Sequence, residues 1–261
     1  TGSNRKAERE LRRLVSETHP DWIHHHNISL LGHEMLDVGK MPRLYTAHDH
    51  WLICPRNDLM YRGKERCTRQ DCTSCTLSSG LPPQGWRNGA FSRNVGGIDR
   101  IISPSHYMSD VLRDRMDLAS TIMPNFVPRT NVKGKEASHF LFAGVLEPHK
   151  GLDLLLRAYG SAGTEAELER MVDEYAQRTG GRVKRLGFLE RDRMMEELST
   201  SICLVAPSTC AENSPLSCIE ALSVGVPLLV SPRGGLPELV SGPCGLVADL
   251  NVDALASALR M

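Results

Sequence analysis

The sequence has no excess of charge of either sign, since Lys plus Arg and Asp plus Glu both number 31 in 261 residues. Without a global field, nothing argues for nucleic acid or a bulk anionic surface as a partner. No apolar run approaches the roughly 20 residues that a membrane-spanning helix needs. A secretory signal is lacking as well, because the first residues, TGSNRKAERELRRL, are polar and helical in period. No strand feeds a G-x-G-x-x-G turn, which disfavours a nicotinamide-dependent oxidoreductase. What is present, 41% hydrophobic and 24% charged residues, is the balance of an ordinary globular chain of one large or two modest domains.

The first half alternates strand and helix. Ser3 is placed to cap a helix whose apolar residues Ala7, Leu11, Leu14 and Val15 share one face. DWIHHHN reads as a strand, LLGHEMLDVG as a helix, PRLYTA as a strand, DRIIS as a strand, SHYMSDVLRDRM as a helix and STIMPN as a short strand. Residues 57–94, rich in Gly, Pro, Cys and charge, read as irregular. The alternation is the mark of a parallel α/β sheet.

Residues 1–128 therefore form one domain, 129–138 a polar linker, and 139–261 a second domain. In the second, FLFAGV is a strand, GLDLLLRAY and TEAELERMVDEYAQRTGG are helices, RVKRLGF is a strand, RDRMMEELSTS a helix and ICLVAPS a buried strand. The helix after Pro215, the strand VPLLVS, a short helix at LPELV and the strand GLVAD complete it. Two helices in succession, joined only by GSAG, break the pattern, because parallel neighbours need a strand between crossover helices. The first half is also short, as though trimmed or missing segments.

Glu212 and Glu220 stand eight positions apart with Pro215 between them. One helix does not easily carry both, since proline removes a donor and clashes with the preceding turn. Ser214 as N-cap and Pro215 at the first helical position start a helix that stops at Gly225. Its first-turn N–H groups have no intrahelical partner and present the positive dipole end, a ready phosphate site. Two carboxylates flanking that end suit the hydroxyls of a nucleotide-sugar. Read without further context, the same residues are two solvated glutamates around a capped helix.

CAENSPLSCIEALSVGVPLLVSPRGGLPELV resembles the E-x7-E signature of retaining family-4 glycosyltransferases of the GT-B fold. FLFAGVLEPHKGLDLLLRAY, MPNFVP, ISPSHYMSDVL and LYTAHDHWLICPR agree with that family in order and spacing. The resemblance implies an α/β protein of two Rossmann-like parallel-sheet domains facing across a cleft, the N-terminal one shortened. It implies transfer of a sugar from a UDP- or GDP-sugar, with retention, to a glycan, lipid-linked or small-molecule acceptor. By the same resemblance Glu220 binds the ribose, Glu212 the donor sugar, and the backbone of Asn213, Ser214, Pro215 and Leu216 cradles sugar and phosphate. Lys150, beyond Gly144, serves the diphosphate, Gly187 and Phe188 meet the base, and His48 faces the reacting sugar.

No catalytic metal is implied. Val145 departs from the family, which has arginine there. Beside the transferase stand an inactive scaffold of the same fold and a sugar-nucleotide epimerase or hydrolase.

Cys54, Cys67, Cys72 and Cys75 follow C-x12-C-x4-C-x2-C within a loop at 54–75 of little apolar content. Four thiolates closed by C-x2-C suit a structural tetrahedral zinc, with an iron–sulfur cluster as runner-up and free thiols as the plain alternative. Cys203, Cys210, Cys218 and Cys244 read as small core residues. Reduced thiols and no export signal make the cytoplasm the expected location, with peripheral contact on the inner membrane face through the segment at Trp86 and Arg87. In HHHN, His24 and His26 share one strand face and His25 the other, which favours structural or polar-contact roles over a metal site.

Overall fold

The structure, a computed structural model, describes residues 4–68, 71–82, 84–87, 89–132, 134–159, 172–174, 177 and 183–261. It divides into two compact units, Thr1–Pro124 and Asn125–Met261.

In the first unit four strands, β1 (Ile23–His26), β2 (Arg43–Thr46), β5 (Arg100–Ser103) and β6 (Thr121–Ile122), form an all-parallel sheet in the order β1-β2-β5-β6. The register sets His25 against Tyr45 and Tyr45 against Ile101. All three are buried. They mark the face that packs on the core of Met35, Leu36, Trp51, Leu52, Phe91 and Met108. Helix α1 (Arg5–Thr18) lays Ala7 and Leu11 on this core, whereas Leu14 stays exposed. Its cap is Asn4, whose side chain accepts from the Ala7 N–H at 3.1 Å, and not Ser3.

Two further expectations are corrected here. LLGHEMLDVG is two 3-10 turns, Ile28–Leu30 and His33–Asp37, because Gly32 at φ 100° interrupts the run. Residues 57–94 are not irregular throughout. They hold a small antiparallel hairpin, β3 (Met60–Tyr61) with β4 (Glu65–Arg66), and the helices α2 (Cys72–Ser78) and α3 (Gly89–Gly96). The strands are joined by three residues, Arg62, Gly63 and Lys64, the first two at positive φ (53° and 71°), and the Lys64 N–H closes the turn on the Tyr61 carbonyl at 3.1 Å. Trp86 and Arg87 are both half-buried and packed against the core. The Arg87 guanidinium lies 4.9 Å from the Trp86 ring and 5.0 Å from that of Phe91, and donates to the carbonyls of Trp51 and Leu52. Helix α4 (His106–Met116), capped by Ser105, completes the unit.

The second unit also has a four-stranded parallel sheet, ordered β10-β9-β8-β7: β7 (His139–Leu141), β8 (Ser201–Ala206), β9 (Leu228–Val230) and β10 (Gly245–Val247). Alternation along β8 sends Leu204 to one layer and Cys203 and Val205 to the other. The first layer holds residues of α6 (Arg191–Ser199) and α7 (Leu216–Ser223); the second holds residues of α5 (Leu152–Tyr159) and α8 (Val252–Ala258). Covering both faces is what a buried parallel sheet requires. The expected strand RVKRLGF does not join this sheet over 183–188: Leu186 and Phe188 remain exposed, so its apolar alternation finds no layer to bury it. The expected helix TEAELERMVDEYAQRTGG falls almost wholly outside the described residues.

Candidate functional site

The site in the second unit is assembled from three loops at the ends of its strands. After β8, the chain from Pro207 to Pro215 carries Ser208, Cys210, Glu212, Asn213 and Ser214. After β7, the turn Pro148–Lys150 carries Lys150. After β9 comes the run Pro232 to Gly235.

Two glycines let these loops touch. Gly151, at φ +72°, would place a Cβ 2.0 Å from the Pro207 carbonyl oxygen, so only glycine lets the Lys150 turn rest on the β8 loop. The contact is tied by the His149 carbonyl, which accepts from the Thr209 N–H at 2.9 Å. Gly234, at φ +62°, would place a Cβ 1.9 Å from the Glu212 carbonyl oxygen, and the Gly235 N–H donates to that oxygen at 2.7 Å. Glu212 is thus fixed by its backbone from one side.

Its side chain is fixed from the other. Lys150 Nζ donates to Glu212 Oε1 at 2.6 Å, and Ser208 Oγ donates to the same oxygen at 2.8 Å. Burial draws the Lys150 ammonium down, but Glu212 beside it more than offsets this, leaving its pKa above lysine's ordinary value. The pair, 26% and 16% exposed, sits at the rim of the fold, open enough to exchange partners.

Helix α7 begins just beyond. Pro215 is its N-cap residue, at φ −67° and ψ 128°, which corrects the expectation that Ser214 caps and Pro215 opens the helix. Ser214 Oγ is instead buried with no partner among the described residues, while the Ser214 carbonyl accepts from Asn125 Nδ2 at 2.8 Å. Leu216 and Ser217 thus supply first-turn N–H groups that the helix itself leaves unpaired. Leu216 is exposed. Glu220, one turn into α7, has Arg191 Nε 3.6 Å from its Oε1.

Phe188 is 90% exposed, next to Gly187 at φ +68°. Val145, following Gly144, is also exposed. Residues that sequence reasoning passed over are Ser208, Arg191, Asn125 and Arg233. The last adjoins Gly234 and keeps a buried Nε without a partner among the described residues. Asn125 and Arg191 meet the site across long sequence separations, which a pattern search does not see, while Ser208 stands only four residues from Glu212.

In the first unit, His48 follows β2. Its Nε2 is 2.8 Å from His26 Nδ1, and the two rings stack at 5.1 Å. His24, its ring tilted 45° to that of His26 with centroids 4.0 Å apart, bonds to Thr46 Oγ1 at 2.7 Å. Burial lowers the pKa of His48, and His26 lowers it further. The expected division holds: His24 and His26 make polar contacts on one face, and His25 is buried on the other.

Among the described residues no group of three or more His, Cys, Asp or Glu stands in geometry to hold a metal ion, the cysteines of the 54–75 loop included. Of the scattered cysteines, Cys203 and Cys218 are core residues, with burial pushing their thiols up to about 11 and about 12. Cys210 is buried beside Glu212, and Cys244 is only half-buried, not a core residue. No helix among the described residues is long and apolar enough to cross a membrane.

Comparison with known proteins bears on both units. Residues 126–261 match the family model described as glycosyl transferases group 1, and residues 3–130 match that of Glycosyltransferase Family 4. The lipopolysaccharide 1,2-N-acetylglucosaminetransferase of Salmonella typhimurium is 25% identical over 188 residues, covering 59% of this chain and 49% of that protein. The O-antigen chain mannosyltransferase B of Escherichia coli is 32% identical over 134 residues, covering 45% and 34%. The chain thus spans about half the length of the first of these relatives and a third of the second.

Among solved structures, sucrose-phosphate synthase from Thermosynechococcus elongatus aligns with a TM-score of 0.69 at 17% identity, covering 97% of this chain and 67% of that one. Anabaena HepE, in complex with UDP and glucose, aligns with a TM-score of 0.69 at 16% identity, covering 97% and 70%. These likenesses establish the fold of each unit as the parallel α/β fold of GT-B glycosyltransferases.

Proposed function

The chain belongs to the glycosyl transferases group 1 family, and on that footing we propose that it transfers a sugar from a nucleoside-diphosphate sugar to a carbohydrate or lipid-linked acceptor, with retention. The observation that carries this reading is the folding of the E-x7-E stretch. Glu212 lies in a loop against Lys150, Glu220 lies inside α7, and the helix start between them offers N–H groups. That order matches a ligand with sugar hydroxyls, diphosphate and ribose in sequence.

Each residue then has a task. Glu220 accepts from the ribose hydroxyls and Glu212 from the donor sugar. The backbone of Asn213, Ser214, Pro215 and Leu216 lines sugar and phosphate; Pro215 has no N–H, so its neighbours donate. Lys150 moves its charge from Glu212 to the leaving diphosphate, where it stabilises the negative charge that develops as the glycosidic bond breaks. Gly144 leaves room on the β7 side, and Gly187 with Phe188 presents an exposed aromatic face to the base. His48 is assigned to the acceptor hydroxyl. The departing phosphate takes the acceptor proton on the same face, so no protein nucleophile is assigned, and no step is assigned to a metal. The UDP and glucose bound by HepE and the sugar transfers named for the curated relatives support a UDP- or GDP-sugar donor and a glycan acceptor.

Incubating the purified chain with a panel of UDP- and GDP-sugars, with and without glycan acceptors, tests the proposal. Expected is release of nucleoside diphosphate that depends on acceptor, gives an axial or equatorial product matching the donor, and is lost in Glu212→Gln. Acceptor-independent release or an isomerised donor would mark a hydrolase or epimerase instead.

A further inference from the structure

The four cysteines of the first unit have no part in the donor chemistry, yet three separate pieces of chain bring them together. Cys54 ends the turn after His50, where its N–H donates to the His50 carbonyl at 2.7 Å. Cys67 leaves β4 with its N–H on the Leu59 carbonyl at 2.8 Å. Cys72 and Cys75 lie on the first turn of α2, which Asp71 caps through Ser74. All four line one cavity of about 10 Å³, room for a single small occupant.

Backbone donors face two of the sulfurs. The Arg62 N–H donates to Cys75 Sγ at 3.1 Å, and the N–H groups of Arg56 and Leu59 donate to the Cys54 sulfur. Two of these donors are themselves presented at positive φ, Leu59 at 52° and Arg62 at 53°. A leucine in the left-handed region is uncommon and costs energy that surrounding structure must offset. Arginines gather as well. Arg56 lines the cavity, Arg115 donates to the Cys67 carbonyl at 2.9 Å, and Arg87 interacts electrostatically with Cys54 and Cys72. Of the nearby acids, Asp58 is paired with Arg56 at 2.8 Å and Asp71 is engaged as the cap.

We propose that Cys54, Cys67, Cys72 and Cys75 form a tetrathiolate site for one zinc ion that fixes the 54–75 loop. Zinc has no geometric preference of its own beyond what four thiolates offer, and such closed sets are structural. As described, the four do not form a group that could hold a metal ion, so binding draws them in around the ion. Zn²⁺ displaces four S–H protons, giving a complex of charge −2 with no electron transferred, and the N–H donors and arginines offset that charge. The gain would be ordering of a loop whose own strands are two residues long.

Elemental analysis of the full chain, purified reduced and without added metal, is expected to find one zinc per chain. A chromophoric chelator should remove it with release of protons, and cobalt(II) should replace it with thiolate-to-metal charge-transfer and tetrahedral bands. Cys72→Ser, at an exposed position, is expected to lose the cobalt bands, and Cys203→Ser, in the sheet of the other unit, to keep them. Absence of zinc with all four thiols reactive, disulfides among the four by mass, or iron with labile sulfide would overturn the proposal. None of these readouts uses a sugar donor, so the result is independent of the transferase reading.

Discussion

Lys150 Nζ and Glu212 Oε1 are 2.6 Å apart, although 62 residues separate them in the chain. The contact joins the turn after β7 to the loop after β8, and it places the two residues assigned to diphosphate and sugar in one ion pair. They should therefore act as a unit. Lys150→Ala and Glu212→Gln are each expected to lower kcat by roughly 10²–10³, the range for removing one group that stabilises transition-state charge. The double variant should fall short of the product of the two losses, because neighbours in one pair are not additive. A double-mutant cycle on kcat/KM checks this, and strict additivity would mean the pair does not act together.

Gly234 tests how Glu212 is positioned. An added Cβ would meet the Glu212 carbonyl oxygen at 1.9 Å and its nitrogen at 2.7 Å. Gly225 has a similar positive φ, +81°, but open space around it. Gly225→Ala should cost only the left-handed backbone, about 1–2 kcal/mol. Gly234→Ala should cost more and also weaken nucleotide binding. Thermal unfolding and nucleotide titration of the two variants distinguish strain from displacement of Glu212.

His25 gives a pH dependence of stability. It is 4% exposed, its Nε2 has no partner among the described residues, and burial lowers its pKa from 6.5 to about 4. The depressed value means the unfolded chain takes the proton first as pH falls. The stability due to neutral His25 is thus full above about 6.5 and is lost progressively towards about 4, amounting to roughly 3 kcal/mol. Denaturant unfolding at a series of pH values should show that slope in the wild type, reduced in His25→Leu.

The His26–His48 contact gives a second titration. Burial lowers the His48 pKa first, and the charge on a protonated His26 lowers it further. His26→Ala removes the second cause, so the His48 pKa should rise towards its ordinary value. Imidazole proton shifts followed by NMR measure it directly, and an unmoved His48 titration would show that the ring pair does not couple.

Much of this architecture is legible in the sequence where apolar periodicity runs over several residues. The strands around Tyr45, Ile101, Leu204 and Leu229 and the helix after Ser105 appear as read. Local patterns mislead where a few residues decide. The β3–β4 hairpin turns on Arg62, Gly63 and Lys64, and arginine at the first turn position is not a turn signal, so the hairpin is hidden in the cysteine-rich stretch. RVKRLGF carries a strand alternation but finds no layer to bury Leu186 and Phe188. At the candidate site, spacing alone reads as two solvated glutamates around a capped helix, and Glu212, Glu220 and Lys150 are singled out by the family resemblance. Asn125 on the Ser214 carbonyl, 89 residues away, and Ser208 on Glu212 follow only from the fold.

The central claim is that the loop and helix around Glu212 and Glu220 hold a nucleoside diphosphate. Titration calorimetry of the full chain with UDP and with GDP tests it most directly, with Glu220→Ala as the comparison. Binding of one nucleotide is expected, weakened at least about tenfold in Glu220→Ala, since hydrogen bonds to a charged group contribute roughly 1.5–3 kcal/mol. No binding of either nucleotide by a folded wild type, or equal binding by wild type and variant, would contradict it and leave a scaffold of the same fold.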